Sequence, residues 1–403
     1  MTNPEILGAL ANLHEMLRDL VGELPEAAAN RPLDPRLGCM SWQLAQTVYR
    51  ETYWLREAIG GDSDLTERVR HLFPDPLGPV EAEDAAAACA QLPPPSHLVA
   101  WAAEIHHEHL RRLATPGALP DHPLLAADRL PWFLLQENAR AYERLLSLRL
   151  LHELEQQTDG YRSLAPLRPD LPEPETAAVT QGHYRIGSRL DPFAYDNELP
   201  PQAVELSSFR IARRPVTNAQ YLAFMVEGGY RRLDLWDQAG QDWRGDAAPH
   251  PDSPLGWRRD ESGNWYQMGL NGPADLAADG PVSGINRHEA RAFAAWAAGL
   301  GGGHAGAVVQ HEYQWEVAAR AGLIDDTGRV WEWCANPFHP YPDFTPFGNL
   351  RASSVAFERG EGVLRGASMH TQRCLRRASY RHHAPAEDRT RVAGTRLVYP
   401  RGD

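Results

Sequence analysis

The chain is short of cysteine, of long apolar runs and of net positive charge. Its four cysteines, Cys39, Cys89, Cys334 and Cys374, are scattered and form no CxxC pair. That excludes a disulfide-stapled scaffold and points to reduced thiols in a cytoplasmic protein. No apolar stretch approaches the roughly 20 residues that span a bilayer, so no membrane role is expected. The opening MTNPEILGALANLHEML lacks the basic and apolar regions of a secretory signal. Lys and Arg number 40 against 53 Asp and Glu, a net charge of −13. Phosphate backbones call for clustered cations, so nucleic acid is not an expected partner.

What is present is ample core material. Hydrophobic residues make up 43% of 403 residues, enough for two or three domains. The twelve tryptophans either fill cores or wall pockets. The first part reads as helix. Ile6, Leu10, Leu13, Leu17 and Leu20 recur at helical spacing. A second helix runs through SWQLAQTVYRETYWLREAI, with Ser41 as N-cap and Gly60-Gly61 as its end. A third spans about His97 to Leu113, and a fourth is WFLLQENARAYERLLSLRLLHELEQQ. Four amphipathic helices suit an antiparallel bundle. The Pro-rich LAPLRPDLPEPET, residues 164–176, reads as an extended linker. Beyond it Gly, Trp and turns become common. YRIGS, AVELSSFRIA, AVVQHEYQWE, VLRGAS and VAGTRLVYP read as strands, and NAQYLAFMVEGG and RHEARAFAAWAAGL as the only substantial helices. The division is therefore a bundle over 1–163, a linker over 164–176 and an α+β domain over 177–403.

The second domain resembles the formylglycine-generating-enzyme-like (C-type-lectin-like) fold. GHYRIGS, FAYDNE, PVTNAQYLAFMVEGGY, PVSGINRHEARAFAAWA, QHEYQWEVAAR, GRVWEWC, LRGAS and AGTRLV follow in that family's order. FAYDNE, GGYRRLDLW and the PYP run after VWEWC resemble the ergothioneine, ovothiol and selenoneine sulfoxide synthases, whose partner domain is a DinB-like bundle. SWQLAQTVYRETYWLRE and WFLLQENARAYE are similar to the two metal-bearing segments of that bundle. Formylglycine generation itself is disfavoured. It uses copper on a close cysteine pair, and ASMHTQRCLRRASYR holds only Cys374.

The resemblance implies Fe(II) on three histidines, with open positions for dioxygen and a thiolate or selenolate. All three positions are substituted, by Gln46, Glu137 and Ala141. A one-residue slip would put Gln136 and Arg140 in place of the last two, which is no better. His106, His107 and His109, in HHEHL, read as a solvated helix face rather than as replacement ligands. The bundle is expected only to pack.

The family's substrate groups fall near Arg381, His382 and His383, where Asn, an aromatic and an acid have become His382, His383 and Ala384. Adjacent residues on an extended segment point to opposite sides, so at most one of the two histidines is expected to face a given pocket, a hydrogen-bonded loop histidine being the alternative. Tyr341, in HPYPDF, takes the place of a loop that the resemblance brings to the active site, where a phenol supplies a proton or hydrogen atom. Trp331, Glu332 and Trp333 read as fold-defining. Trp243, with Trp236 and Trp257, either fills the core or stacks on a methylated cation. Three functions remain open. One is oxygen-dependent joining of a thiol or selenol to an imidazole betaine. Another is metal-free chemistry on the same cleft between the domains. The third is a non-catalytic binding or partner protein, associating with an active paralogue.

Overall fold

Local chemistry starts the first helix. The Asn3 side chain accepts the Glu5 N–H, and Pro4 at the first turn leads α1, Pro4–Gly22. The computed structural model describes residues 2–73, 75–78, 82–155, 160–189, 193–246 and 251–400. The other long bundle helices are α3 (Met40–Thr52), α6 (Pro95–Ala114) and α7 (Arg129–Glu155). The short α2 (Glu26–Ala29), α4 (Asp64–Val69) and α5 (Ala82–Cys89) sit in the connections. Gln156 and Gln157, the expected end of the fourth helix, lie outside the described residues. α1 and α3 each pack against both α6 and α7, the cross-section of a four-helix bundle.

One expectation about the bundle is corrected. Cys39, not Ser41, caps α3. Cys39 is extended and its sulfur accepts the Trp42 N–H at 3.4 Å, which leaves Ser41 buried inside the helix. α3 also continues past Thr52 into a π-helical turn, Tyr53–Ala58, which carries Trp54 into the core.

The second domain joins a four-stranded sheet, in the order β1 (Thr176–Val179), β4 (Phe209–Ala212), β13 (Leu397–Pro400) and β8 (Val308–Val309), to a second sheet. That second sheet runs β11 (His382–Ala384), β10 (Gly362–Arg365), β9 (Trp331–Pro337) and β12 (Ala393–Thr395), with β12 parallel to β9. β2 (Gly182–Ile186) pairs with β3 (Gln202–Leu206), and β5 (Trp257–Arg259), β6 (Trp265–Gly269) and β7 (Gly272–Asp275) form a meander. The helices are α8 (Asn218–Val226), α9 (Gln238–Asp246), α10 (Arg287–Gly299), α11 (Glu312–Arg320) and α12 (Ala352–Glu358). QHEYQWE is therefore mostly helix, not strand. His311 and Gln314 form a reciprocal capping box that starts α11 directly after the two-residue β8.

Trp331, Glu332 and Trp333 are buried in β9. Glu332 accepts both Arg396 Nε and Nη2 at 2.8 Å, a two-pronged pair that locks β9 to the strand region of the chain end. Residues 160–175 carry no helix or strand and run along the second domain. Tyr161 donates to Asp275 at 3.0 Å, and Asp170 N–H to Ala219 O at 3.1 Å.

An aromatic cluster staples the two domains. Phe133 of α7 stacks on Phe347 at 4.7 Å and meets Tyr195 at 5.8 Å, while Trp54 reaches both Phe133 and Phe347. Removing a buried ring leaves a cavity as well as losing transfer energy. Phe133→Ala should lower stability in urea melts by about 3–5 kcal/mol. A loss under about 1 kcal/mol would show that the staple is not structural.

Candidate functional site: an arginine-lined cleft between the domains

Helical spacing builds one wall. Gln43, Gln46 and Arg50 share a face of α3, and Glu137, Arg140, Ala141 and Arg144 share a face of α7. The loop at Tyr195 and strand β11 close the other side.

Glu137 is the hub. It accepts the Tyr195 hydroxyl at 2.6 Å, Arg140 Nη1 at 3.1 Å and Arg50 Nη1 at 3.4 Å. Burial pushes its carboxyl up, but Arg140, Arg50 and Arg144 outweigh that and hold it at about 2. Arg140 also donates to Tyr195 at 2.7 Å and reaches His383 Nε2 at 3.4 Å. Arg144 is different. Its Nε donates to Gln43 Oε1 at 2.9 Å, and among the described residues no carboxylate lies within ion-pairing distance of it. Arg144 sits deep among protein atoms yet keeps some accessible surface. Burial lowers its guanidinium to about 9. Glu137 opposes this, and the crowding of Arg140, Arg50 and Arg391 reinforces it.

His383 and His382 approach Arg140 from the second domain. His383 Nδ1 donates to Glu361 at 2.8 Å and its ring stacks on Phe338 at 4.6 Å. His382 stacks on Trp331 at 4.8 Å, and neither of its nitrogens has a hydrogen-bond partner. Burial, then Arg391 and Arg140, keep His382 neutral at ordinary pH. Both rings thus lie near Arg140, although they are neighbours on one strand. Glu143, on α7, accepts the Trp331 indole at 2.8 Å and ties the helix to β9.

The family's iron does not fit these residues. Gln46 is buried and lines, with Arg50, Glu137 and Arg144, a space of about 10 Å³, room for about one water. Glu137 is committed to two guanidiniums and a phenol. Ala141 offers no donor atom and packs in the bundle core. Three guanidiniums around the position also repel a divalent cation.

Comparison with known proteins agrees with this two-part architecture. Residues 162–327 match the sulfatase-modifying factor enzyme 1-like domain. A hercynine oxygenase of Mycolicibacterium thermoresistibile is 28% identical, over 94% of this chain and 91% of its own. One from Mycolicibacterium smegmatis is also 28% identical, over 94% of each chain. The chain is therefore similar to these hercynine oxygenases along nearly its whole length. Among solved structures, PvdO from Pseudomonas aeruginosa aligns over 59% of this chain and 99% of its own, at 16% identity and a TM-score of 0.40.

Other expected site residues lie elsewhere. Arg381 is buried and consumed. Its Nε and Nη2 pair with Glu312 at 2.8 and 2.9 Å, and it also donates to the Asn197 and His339 carbonyls. Tyr341 is buried, with its ring 4.2 Å from the Arg381 guanidinium and its hydroxyl unpartnered. Both therefore brace the loop from behind β11 instead of reaching into the cleft. Trp243, on α9, stacks on Trp236 at 6.0 Å and on His288 at 5.9 Å, and the chain's own Arg389 lies 5.9 Å from its ring.

The HHEHL reading is also corrected. His106 and His109 are buried, at 1% and 0% exposure, and only His107 faces solvent. With His14 they surround the buried Glu51. Burial opposes the charge on Glu51, but His14 and His109 overcome it and hold the carboxyl well below the usual range. Of the residues that make the cleft, Arg50, Arg144 and Tyr195 were not singled out, and Arg140 entered only as a shifted-register position. Their one signal was the placing of Arg140 and Arg144 on the Glu137 face of α7. No described helix is long and apolar enough to cross a membrane.

Because Glu137 is depressed in the fold, its stabilisation is complete above its ordinary value of 4.5 and is lost as pH falls toward about 2. Glu137→Gln should cost about 3–5 kcal/mol at pH 7, since it strands two guanidiniums. It should also flatten the acid limb of stability against pH. An acid limb identical to that of the parent protein would refute the hub role.

Proposed function

We propose that the cleft, whose closed space holds about one water, opens to bind a small carboxylate-bearing molecule without a metal, and that this chain is a family member which no longer performs iron-dependent oxygenation. The observation that carries the proposal is Arg144, a desolvated guanidinium with no carboxylate partner among the described residues. A guanidinium held in that way favours an anion that can take two of its N–H groups at once. The unpartnered nitrogens of His382, opposite, suit the polar part of an imidazole or betaine. The relatives are named for hercynine, so carboxylates of that histidine-betaine class are the first candidates. Retention of oxygen-dependent C–S or C–Se bond formation is the competing reading. It requires iron at a position that lacks iron ligands.

The test is a thermal-shift panel of hercynine, histidine, their carboxamides, a simple thiol and a selenosugar. A carboxylate ligand at a hundred times its dissociation constant should stabilise by about 2.7 kcal/mol, and its amide should not. Arg144→Met should abolish the shift. It should also stabilise the ligand-free protein by on the order of 1 kcal/mol, because an uncompensated charge is removed from the interior. Silence across the panel would favour the partner-protein reading. A sulfoxide or selenium product formed with ferrous iron and oxygen would overturn the proposal.

A further inference from the structure

A second polar cluster lies inside the bundle, where four helices meet around Glu51. Its Oε1 is 2.8 Å from His14 Nε2 of α1, and its Oε2 is 2.9 Å from His109 Nδ1 of α6. Asn138 of α7 donates to the same carboxylate. His106, one turn before His109, stacks on His14 with ring centres 3.7 Å apart and planes within 6°. One ligand atom from each of His14, Glu51 and His106 lies within 4.8 Å of the other two.

The sequence pattern shows how this arises. The buried residues of α1 are Ile6, Leu10, Leu13, His14, Leu17 and Val21, and those of α6 include Leu98, Ala102, Ile105, His106, His109 and Leu113. The two stripes have the same offsets. His14 and His106 hold equivalent places on two helices that pack together, in positions where a bundle ordinarily puts leucine or alanine. A hydrogen-bonded network alone does not account for them. His14 Nδ1, His106 Nε2 and Asn138 Oδ1 are buried without partners, and buried polar atoms are rarely left so.

We infer that His14, Glu51 and His106 form a binding site for a divalent first-row transition ion, with a donor set different from the family's iron position that it adjoins, since Glu51 also lines the small space of Gln46 and Glu137. Two imidazoles and a carboxylate are a donor set such ions take readily. His109 and Asn138, bonded to the carboxylate, orient it as outer partners. Parallel rings aim their lone pairs side by side, so a shared ion requires one ring to turn about its Cβ–Cγ bond. Turning His106 releases Arg18, whose Nη1 contacts His106 Nδ1 at 3.0 Å. Arg18 is half-buried and long enough to swing toward solvent, so it competes with the ion for the imidazole. The bound ion clamps α1, α3 and α6 directly below the π-helical turn that delivers Trp54 to the domain staple.

The experiment uses the full chain, stripped with a chelator, desalted and titrated with zinc alone. Bound metal is counted by elemental mass spectrometry and the melting temperature recorded. One zinc per chain and a higher melting temperature are expected. His106→Ala and the double variant with His14→Ala should lose the ion, while Gln46→Ala and Glu137→Gln should keep it. Arg18→Met removes the competing hydrogen bond to His106 and should bind zinc more tightly, by on the order of tenfold, an effect that a purely structural histidine stack would not show. No zinc retained by the parent chain, or equal zinc in the double histidine variant, would overturn the site. Loss of zinc in Glu137→Gln with retention in His106→Ala would place the metal at the family position instead.

Discussion

One carboxylate organises the centre of this molecule. Glu137 holds Arg50 from its own bundle, Arg140 from its own helix and Tyr195 from the other domain. A charge so deep is tolerable only when it is paired. Here the pairing also sets the distance between α3, α7 and the second domain. The aromatic staple at Phe133 supplies the non-directional part of the same join, and the Glu143–Trp331 bond extends it along the helix.

That arrangement changes what the cleft is able to do. In the sulfoxide-synthase scaffold the resemblance places a metal cation where this chain has Gln46, Glu137 and Ala141. Here the positive charge is fixed and organic, carried by Arg50, Arg140 and Arg144. A guanidinium binds and orients anions, but it offers no redox couple and no open coordination position. Only Arg144 lacks a carboxylate partner among the described residues, so the capacity to bind is concentrated there. The two-part architecture is kept, while the charge at this position is carried by guanidiniums instead of a metal ligand set.

The fold was readable because its signals are local and serial. Apolar spacing at Ile6, Leu10, Leu13 and Leu17 marks α1, and the ordered motifs from GHYRIGS to AGTRLV mark the second domain. Failures occurred where a short-range device or a distant partner decides. His311 caps α11 and turns an apparent strand into a helix. Cys39 takes the cap that Ser41 was expected to supply. Arg381 reads as a ligand group until Glu312, 69 residues earlier in the chain, is seen to neutralise it. The burial of His106 and His109 was within reach of the sequence, since both fall on the apolar stripe of α6. Three adjacent polar letters in HHEHL concealed the period.

An arginine–glutamate network at the family's iron position leaves no place for a metal there, and the location of iron, more than its amount, tests this. Crystals of the full chain, grown anaerobically with ferrous iron, should be measured above and below the iron absorption edge. No anomalous peak should lie within coordination distance of Gln46 or Glu137, and the Glu137–Arg50–Arg140–Tyr195 contacts should be intact. An iron peak bonded to Glu137, with those contacts broken, would contradict it.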